Sequence, residues 1–432
     1  MTDALTIHPI DSFQARVRPP GSKSLTNRAL LSAALADGPS VIHHPLSAQD
    51  TMVMVRALEQ LGFKIQWQDC AAKVEGLGGR IPDSNVSLDL QNAGTAMRFL
   101  CAACCLGDGE YVLDGNPRMR QRPIGQLVDA LARLGGRVDY ADGQGFPPLC
   151  VRGGGLVGGQ IELTTMLSSQ YISALLLAGP YCRDGLTIGF EGPVTSRPYV
   201  EMTIDVMRRF GIGIIVDPQF SRIRVEPGCY QPHEFRIEPD ASSASYFLAA
   251  AAIVPESRCT IDGLGKESIQ GDIGFADVLH QMGADLIFGS DFVTVIGPPK
   301  GQLQAIDLDL NTMPDMAQTL AAVAMFADGP TTMRNIGNLR VKETDRLSAM
   351  KAELEKLRAT VTIDSGDMTI YPPDKGDIRG ATIETYGDHR MAMSLAIIGL
   401  VTPGIVIANP DCVNKTFPDF FTLLRSLGMA ER

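Results

Sequence analysis

Positive charge is scarce in this 432-residue chain: 38 Lys and Arg stand against 49 Asp and Glu, a formal net charge of −11. Such a balance argues against nucleic acid or an anionic membrane as a bulk partner. The N-terminus lacks a basic leader with an apolar core, so no secretory signal is expected and a cytoplasmic location is. Long hydrophobic runs are missing too. The longest uncharged stretch, residues 391–408, reaches the length of a membrane span, but Thr402-Pro403-Gly404 interrupts it with a turn signal. The nine cysteines form an odd set, and Cys101, Cys104 and Cys105 fall in an apolar helix pattern with no histidine nearby. Packed, reduced thiols and no metal are expected. Two phosphate-loop patterns lack their context. Gly21-Ser22-Lys23-Ser24 has Arg16 and Val17 where a Walker loop needs its leading glycine, and Gly153, Gly155 and Gly158 lead into a β-like run at 160–163 where a dinucleotide fingerprint needs a helix. No cofactor is expected.

What the chain does have is a repeat. A short polar motif followed by an alanine-rich apolar helix pattern recurs at Ser22, Gly94, Ser169, Ala241, Asp315 and Asp388, at intervals of 72, 75, 72, 74 and 73 residues. Fixed-period self-similarity is a fold signature. Each apolar helix leads through a Gly or Pro break into a β-like run (40–42, 111–113, 186–188, 259–261, 331–334, 405–407) and then a polar loop and an amphipathic helix. A C-terminal glycine follows in five copies, at Gly62, Gly135, Gly211, Gly283 and Gly428, with Arg358 in the remaining copy; two β-like runs around a turn close the unit. The unit reads β-α-β-α-β-β. The sixth copy ends without room for its hairpin, and residues 5–10 could supply the missing strand. Six copies exceed what one core holds, so the expected fold is α/β, with two lobes of three βαβαββ repeats, apolar helices buried inside and amphipathic ones outside, in the manner of an inside-out α/β barrel. The expected lobes are 1–19 with 240–432, and 20–239, with the active site in the cleft between them.

Each helix N-terminus offers unpaired N–H groups and partial positive charge, so repeated polar motifs there suggest anion sites. Cations gather at the same loops: Lys23, Arg28, Arg98, Arg118, Arg120, Arg122, Arg197, Lys342, Arg346, Arg390 and Lys415. Any one of them could be ordinary surface charge. As a set in an acidic protein they imply a small substrate with more than one anionic group. Asp50, Asp315, Glu343, Asp345 and Asp388 share the loops. Ion pairing accounts for carboxylates so placed as readily as catalysis does, although Asp315 and Glu343, at the two loop positions of the fifth repeat, suit acid/base work. His389 is the one histidine in such a motif.

These motifs carry a resemblance. Pro20-Gly-Ser-Lys-Ser with Asn27-Arg28, Asn92-Ala-Gly-Thr-Ala-Met-Arg98, Arg122-Pro-Ile-Gly, Ser168-Ser-Gln170, Ser196-Arg-Pro-Tyr199, Val341-Lys-Glu-Thr-Asp-Arg346, Gly387-Asp-His-Arg-Met-Ala392 and Lys415-Thr-Phe-Pro-Asp419 resemble, in order and over essentially the whole chain, the 5-enolpyruvylshikimate-3-phosphate (EPSP) synthase family. The resemblance implies transfer of the enolpyruvyl group of phosphoenolpyruvate to the 5-hydroxyl of shikimate 3-phosphate in aromatic amino acid biosynthesis, and a glyphosate target. It assigns shikimate 3-phosphate to Lys23, Ser24, Arg28, Ser168, Ser169, Gln170, Ser196, Tyr199, Asp315, Asn338 and Lys342. Phosphoenolpyruvate goes to Lys23, Gly94, Arg122, Gln170, Arg346, Arg390 and Lys415. The catalytic set is Asp315 as base and Glu343 as acid, with Lys23 and His389 as further proton carriers or charge stabilisers. A monomer without metal is expected, since Arg and Lys supply the positive field. Phe99 and Leu339 depart from the commonest family pattern, and Phe99 bears on how the Gly94 helix presents its N-terminus. The alternatives are an enolpyruvyl transferase acting on UDP-N-acetylglucosamine, whose usual reactive Cys is replaced here by Pro117, and a non-catalytic polyanion-binding relative, which would not need both Asp315 and Glu343.

Overall fold

The computed structural model describes residues 4–68, 70–164, 166–299, 303–374 and 376–429. Two kinds of helix alternate along it. The first kind is α1 (Lys23–Leu35), α3 (Gly94–Cys104), α5 (Ser169–Ala178), α7 (Ala241–Ile253), α9 (Ala317–Ala324) and α11 (His389–Ala396). Every residue of α3, α7, α9 and α11 is buried, and α5 leaves only Gln170 partly accessible. Runs such as Ala249–Ala252 make that burial possible, because alanine lets helices approach closely at no rotamer cost. The second kind is α2 (Gln49–Gln60), α4 (Gly125–Arg133), α6 (Arg197–Arg209), α8 (Phe275–Gln281), α10 (Arg346–Lys356) and α12 (Phe420–Ser426), in which an apolar face is buried and a polar one is wet.

The chain divides into two compact units, 1–20 with 238–432 and 21–237. Each holds three of the buried helices. In the first, a hydroxyl from each helix meets the next, Ser245 Oγ to Thr319 Oγ1 at 3.2 Å and Thr319 Oγ1 to Ser394 Oγ at 3.2 Å, so these core polar groups satisfy one another. In the second, α3 packs on α5 and α1 on both.

Each repeat adds one small sheet. The strand before the buried helix pairs parallel to the strand after it, and the hairpin that follows the amphipathic helix pairs antiparallel; Val86–Asp89, Glu110–Asp114, Leu149–Arg152 and Arg137–Tyr140 lie side by side in that order. Two repeats borrow their first strand. Gln14–Val17, before α1, pairs with Arg258–Asp262 after α7 (Arg16 opposite Thr260), whereas Glu234–Arg236, before α7, pairs with Pro39–His43 after α1 (Phe235 opposite Ile42). Each of these strands is thereby built into the unit it leaves, before the chain passes to the other. The last repeat is completed by the N-terminus: Ala4–Ile7 runs antiparallel to Ile405–Ala408 with Leu5 opposite Ile407, making a three-stranded sheet with Thr382–Ile383.

Gly62, Gly135, Gly211 and Gly283 end their helices at φ +91°, +91°, +83° and +106°, the left-handed region where a Cβ is costly. Gly428 does not. It sits inside a 3-10 turn, Leu427–Met429, so the glycine expected to stop α12 continues it in a tighter coil. Arg358, in the fifth repeat, takes φ +76° and makes the same closing bonds, its N–H donating to Glu355 O and the Ala359 N–H to Leu354 O. Its side chain is exposed. Arg358→Gly should therefore stabilise the protein by ~0.5–1 kcal/mol, the relief of left-handed strain exceeding the added entropy of the unfolded glycine. A denaturation midpoint unchanged or lowered would contradict this.

Candidate active site

In the 21–237 unit the polar motifs fold to one end of the buried helices, and side chains tie them together. Ser22 caps α1 by accepting from Leu25 N–H, and Ser168 caps α5 by accepting from Gln170 N–H. Gln170 Nε2 donates to Thr95 Oγ1 at 3.2 Å, joining the α5 and α3 ends. Arg28 joins α1, α5 and α6: Nη1 donates to Ser24 O (2.9 Å), Nη2 to Ser173 Oγ (3.2 Å) and Tyr199 O (3.0 Å), and Nε to Thr203 Oγ1 (2.7 Å). Ser196, at φ +52°, begins α6 and is buried. Lys23 opens α1 with its Nζ 3.3 Å from Asp50 Oδ2 in the first turn of α2. Thus Lys23, Ser24, Gly94, Arg122, Ser168, Ser169, Gln170, Ser196 and Tyr199 fall on helix ends or on the loops beside them, and Arg28, one turn further into α1, reaches back to Ser24 O.

Three arginines here are buried among neutral partners. Arg28 and Arg98 are both pulled down to about 10, in each case chiefly by burial; Arg98 is lowered further by the charge of Arg122. Arg98 donates to Gly94 O (3.3 Å) and Pro123 O (2.8 Å). Arg122 donates to Asn92 O (3.2 Å) and Asn92 Oδ1 (3.0 Å), and its Nε is buried without a partner among the described residues. A buried charge with only dipoles around it costs several kcal/mol unless a counter-ion joins it. Gly94 lies flat against this group: a Cβ there would come within 2.6 Å of Arg122 Nη2 and 2.8 Å of its Cζ. Phe99 is the sixth residue of α3 and fully buried. Its ring packs under Arg28, whose Cζ is 5.3 Å from the ring centroid.

The other unit builds a different centre. Arg346, the first residue of α10 and almost wholly buried, donates from Nε to Asp388 Oδ2 (2.7 Å), from Nη1 to Asp315 Oδ1 (3.0 Å) and from Nη2 to Glu343 Oε2 (2.9 Å). Arg390, in the first turn of α11, donates from Nη2 to Asp315 Oδ2 (3.0 Å) and Ser242 Oγ (3.2 Å). Lys342 Nζ is 4.0 Å from Asp315 Oδ1. Asp315 stands in the 3-10 turn Pro314–Met316 ahead of α9, and Asp388 caps α11 through the Arg390 N–H (2.9 Å). His389 is buried, its Nδ1 3.6 Å from Asp388 Oδ1. Lys415 ends the 3-10 segment Pro410–Lys415, which packs on α11. Asn338 presents a buried Oδ1 without a partner among the described residues. Leu339 is fully buried and takes no part.

Several cations from the loops belong elsewhere. Arg120 pairs with Asp114 and Arg197 with Glu201, all of them substantially exposed, so they act as surface charge. Arg340 takes Asp345, which also caps α10 through Ser348 N–H. Conversely, the structure adds Asn92 on Arg122, Thr95 on Gln170 and Ser242 on Arg390 to the site, and gives partners to two carboxylates already noted in the loops, Asp50 on Lys23 and Asp388 on Arg346. Cys101 and Cys104 are buried thiols pushed well above their usual range by burial. No helix among the described residues is long and apolar enough to cross a membrane.

One unit gathers buried arginines with neutral partners at its helix ends, and the other holds a buried carboxylate–guanidinium cluster, features suited to a protein that handles anions. Residues 7–424 match the family model of EPSP synthase (3-phosphoshikimate 1-carboxyvinyltransferase). The 3-phosphoshikimate 1-carboxyvinyltransferase of Aliivibrio salmonicida is 45% identical over 99% of this chain and 100% of its own, and that of a Shewanella species is 45% identical over 98% and 99%. A solved EPSP synthase from Acinetobacter baumannii superposes with a TM-score of 0.82 at 26% identity, covering 99% of both chains. The chain belongs to the EPSP synthase family.

Proposed function

We propose that the chain catalyses transfer of the enolpyruvyl group from phosphoenolpyruvate to the 5-hydroxyl of shikimate 3-phosphate, with release of phosphate, acting as a cytoplasmic monomer. The observation that carries this reading is the trio Arg28, Arg98 and Arg122, buried among neutral oxygens where only an anion can balance them. The orphaned Arg122 Nε and Asn338 Oδ1 ask for an acceptor and a donor respectively, as an anionic, hydroxyl-bearing substrate pair provides. Arg122 with Gly94, Lys23, Gln170, Arg346, Arg390 and Lys415 takes phosphoenolpyruvate. Lys23, Ser24, Arg28, Ser168, Ser169, Gln170, Ser196, Tyr199, Asp315, Asn338 and Lys342 take shikimate 3-phosphate. In the addition step the 5-hydroxyl oxygen bonds to the enol carbon and loses its proton to Asp315, while the methylene carbon gains a proton from Glu343. In the elimination the proton roles reverse: the methyl group returns its proton to Glu343, and phosphate departs with the C–O electron pair and takes up the proton held by Asp315. Lys23 and His389 relay protons or steady charge.

Phosphate release measured with phosphoenolpyruvate and either shikimate 3-phosphate or UDP-N-acetylglucosamine tests the reading. Turnover is expected with the first acceptor alone; release with the nucleotide sugar and none with shikimate 3-phosphate would overturn it.

Gly94→Ala follows from the geometry. The added methyl meets the far end of the Arg122 side chain rather than backbone, so the fold accommodates it, and alanine suits the first turn of a helix better than glycine. The guanidinium must yield instead. The KM for phosphoenolpyruvate should rise by about 10-fold or more with a smaller change in kcat, and glyphosate, which shares that pocket by family resemblance, should lose more affinity than the substrate does. Unchanged KM and unchanged inhibition would remove the argument.

A further inference from the structure

Glu353, in α10, is a carboxylate at a place where the fold needs none. It lies five residues before Arg358, the left-handed residue that ends its helix; the residues five before Gly62, Gly135, Gly211 and Gly283 are Ala57, Ala130, Val206 and Val278, all buried. Four repeats close that contact with an alkyl group. Glu353 is as deeply buried as they are, and among the described residues no other acid is buried beyond the first turn of an amphipathic helix. A carboxylate taken out of water is costly unless charge and hydrogen bonds compensate it. Packing does not account for it, since alanine or valine satisfies packing at the same place.

The compensation comes mainly from the segment that leads into α11. Glu353 Oε1 accepts from Tyr386 OH at 2.7 Å, and Oε2 accepts from the Glu384 N–H at 2.9 Å and from Lys356 Nζ at 2.6 Å. Lys356 Nζ also donates to Thr382 O at 3.3 Å. Between the strand Thr382–Ile383 and the cap of α11 the backbone turns left-handed twice in succession, with φ +54° at Tyr386 and +67° at Gly387, and the Asp388 N–H returns to Thr385 O at 2.8 Å. A tyrosine held left-handed needs surroundings that fix it there. Asp388 in turn grips Arg346, seven residues before Glu353. Two helical turns place Arg346 and Glu353 on one stripe of α10, about 10 Å apart along its axis. The helix therefore holds the segment at both ends, through Glu353 at residues 384 and 386 and through Arg346 at residue 388.

We infer that Glu353 is a positioning residue for the anion-binding end of α11: by holding Glu384 and Tyr386 it fixes the left-handed turn that sets Asp388, and with it Arg390, against Arg346. Asp388 Oδ1 accepts both the Arg390 N–H (2.9 Å) and Arg346 Nη2 (3.3 Å), so a shift of the turn moves the two arginines relative to each other. The inference rests on the assignment of phosphoenolpyruvate to Arg346 and Arg390, and it names what sets their spacing. Glu353 acts through them and not on the substrate.

Three variants of the whole protein test it. Glu353→Val installs the side chain that the third and fourth repeats carry, and should raise the KM for phosphoenolpyruvate by about 10-fold, with kcat within about 3-fold and calorimetric affinity for shikimate 3-phosphate within about 2-fold of the parent. Tyr386→Phe removes one hydroxyl from an exposed ring; it should raise the same KM by about 3-fold and carries the test if the valine variant does not fold. Glu353→Gln should bring KM back to within about 2-fold of the parent, because the amide oxygen accepts from the Glu384 N–H and the amide nitrogen donates to the Tyr386 hydroxyl oxygen. A loss of stability alone would lower the active fraction, and so kcat, and leave KM where it was. Hydrogen exchange needs no turnover: amides 384–390 should exchange about 10-fold faster in Glu353→Val or Tyr386→Phe, while those of α7 in the same unit keep their parental rates. An unchanged KM in either folded variant, a KM raised as much by glutamine as by valine, or parental exchange over residues 384–390 would each overturn the inference. If the parent releases no phosphate with either acceptor, the functional reading fails instead, and exchange over 384–390 still decides whether Glu353 holds the turn.

Discussion

In a Glu343→Gln protein kcat should fall by about 10²- to 10⁴-fold, while affinity for shikimate 3-phosphate changes by less than about 3-fold. The substitution isolates chemistry because of what surrounds the residue. Glu343 holds Arg346 Nη2 through one oxygen at 2.9 Å, and a glutamine carbonyl can accept the same bond. Arg346 keeps Asp388 and Asp315 on its other nitrogens, so the cluster retains its shape when one charge is removed. What a glutamine cannot do is deliver a proton to the methylene carbon. Steady-state kinetics with both substrates varied, beside calorimetric titration of shikimate 3-phosphate, separate the two effects. A Glu343→Gln enzyme with near-parental kcat would falsify the acid assignment and leave Lys23 or His389 as the donor. Arg122→Lys gives the contrasting signature, because a point charge cannot reproduce the guanidinium fork, and its loss is expected mainly in the KM for phosphoenolpyruvate.

The sequence made the repeat legible because its signals are local: a capping Ser or Asp, an apolar run too rich in alanine to be a surface helix, and a glycine where the chain must turn left-handed. Those signals carry the α/β class, the buried helices, the strand supplied by the N-terminus, and the crowding of polar motifs at one end of each unit. Pairings between distant strands leave no such trace. Nothing in residues 14–17 or 234–236 announces that each pairs with the strand following the other's helix, since both read as short half-buried strands whichever sheet they enter. Gly428 illustrates the converse, a residue whose letter predicts a left-handed stop and whose surroundings keep the turn right-handed.

The centre around Arg346 was legible only in part, for a related reason. The motif holding Lys342, Glu343 and Arg346 shows that charges cluster, but which carboxylate a guanidinium chooses depends on helix packing across more than forty residues of chain. A capping aspartate such as Asp388 looks the same in sequence whether its second oxygen meets water or a buried arginine. The loop cations misled for the same reason: Arg120 and Arg197 stand in the same kinds of polar loop as Arg122 yet end on exposed carboxylates, where the ion pair is worth little. Burial sorts the two groups, and burial is a tertiary property.

Asp388 should therefore carry more of the fold than any of the carboxylates assigned to catalysis. It is fully buried, takes Arg346 Nε and Nη2 at 2.7 and 3.3 Å, and caps α11 through the Arg390 N–H at 2.9 Å. Asp388→Ala removes the cap and leaves the Arg346 Nε, in a nearly sealed site, with no acid opposite it. Breaking one side of a buried pair costs about 3–5 kcal/mol, and the lost cap adds about 1. For a unit of this size the thermal midpoint should drop by roughly 8–24 °C. Asp388→Asn keeps one acceptor oxygen, enough for the Arg390 N–H cap or for the Arg346 Nε but not for both, and should lose less than the alanine variant does. Asp388→Ala and Arg346→Met together should cost less than the sum of the single changes, because both remove the same buried bond. If Asp388→Ala unfolds within about 1 kcal/mol of the parent, the Arg346 centre is held by Asp315 and Glu343 instead, and the capping aspartate is only a cap.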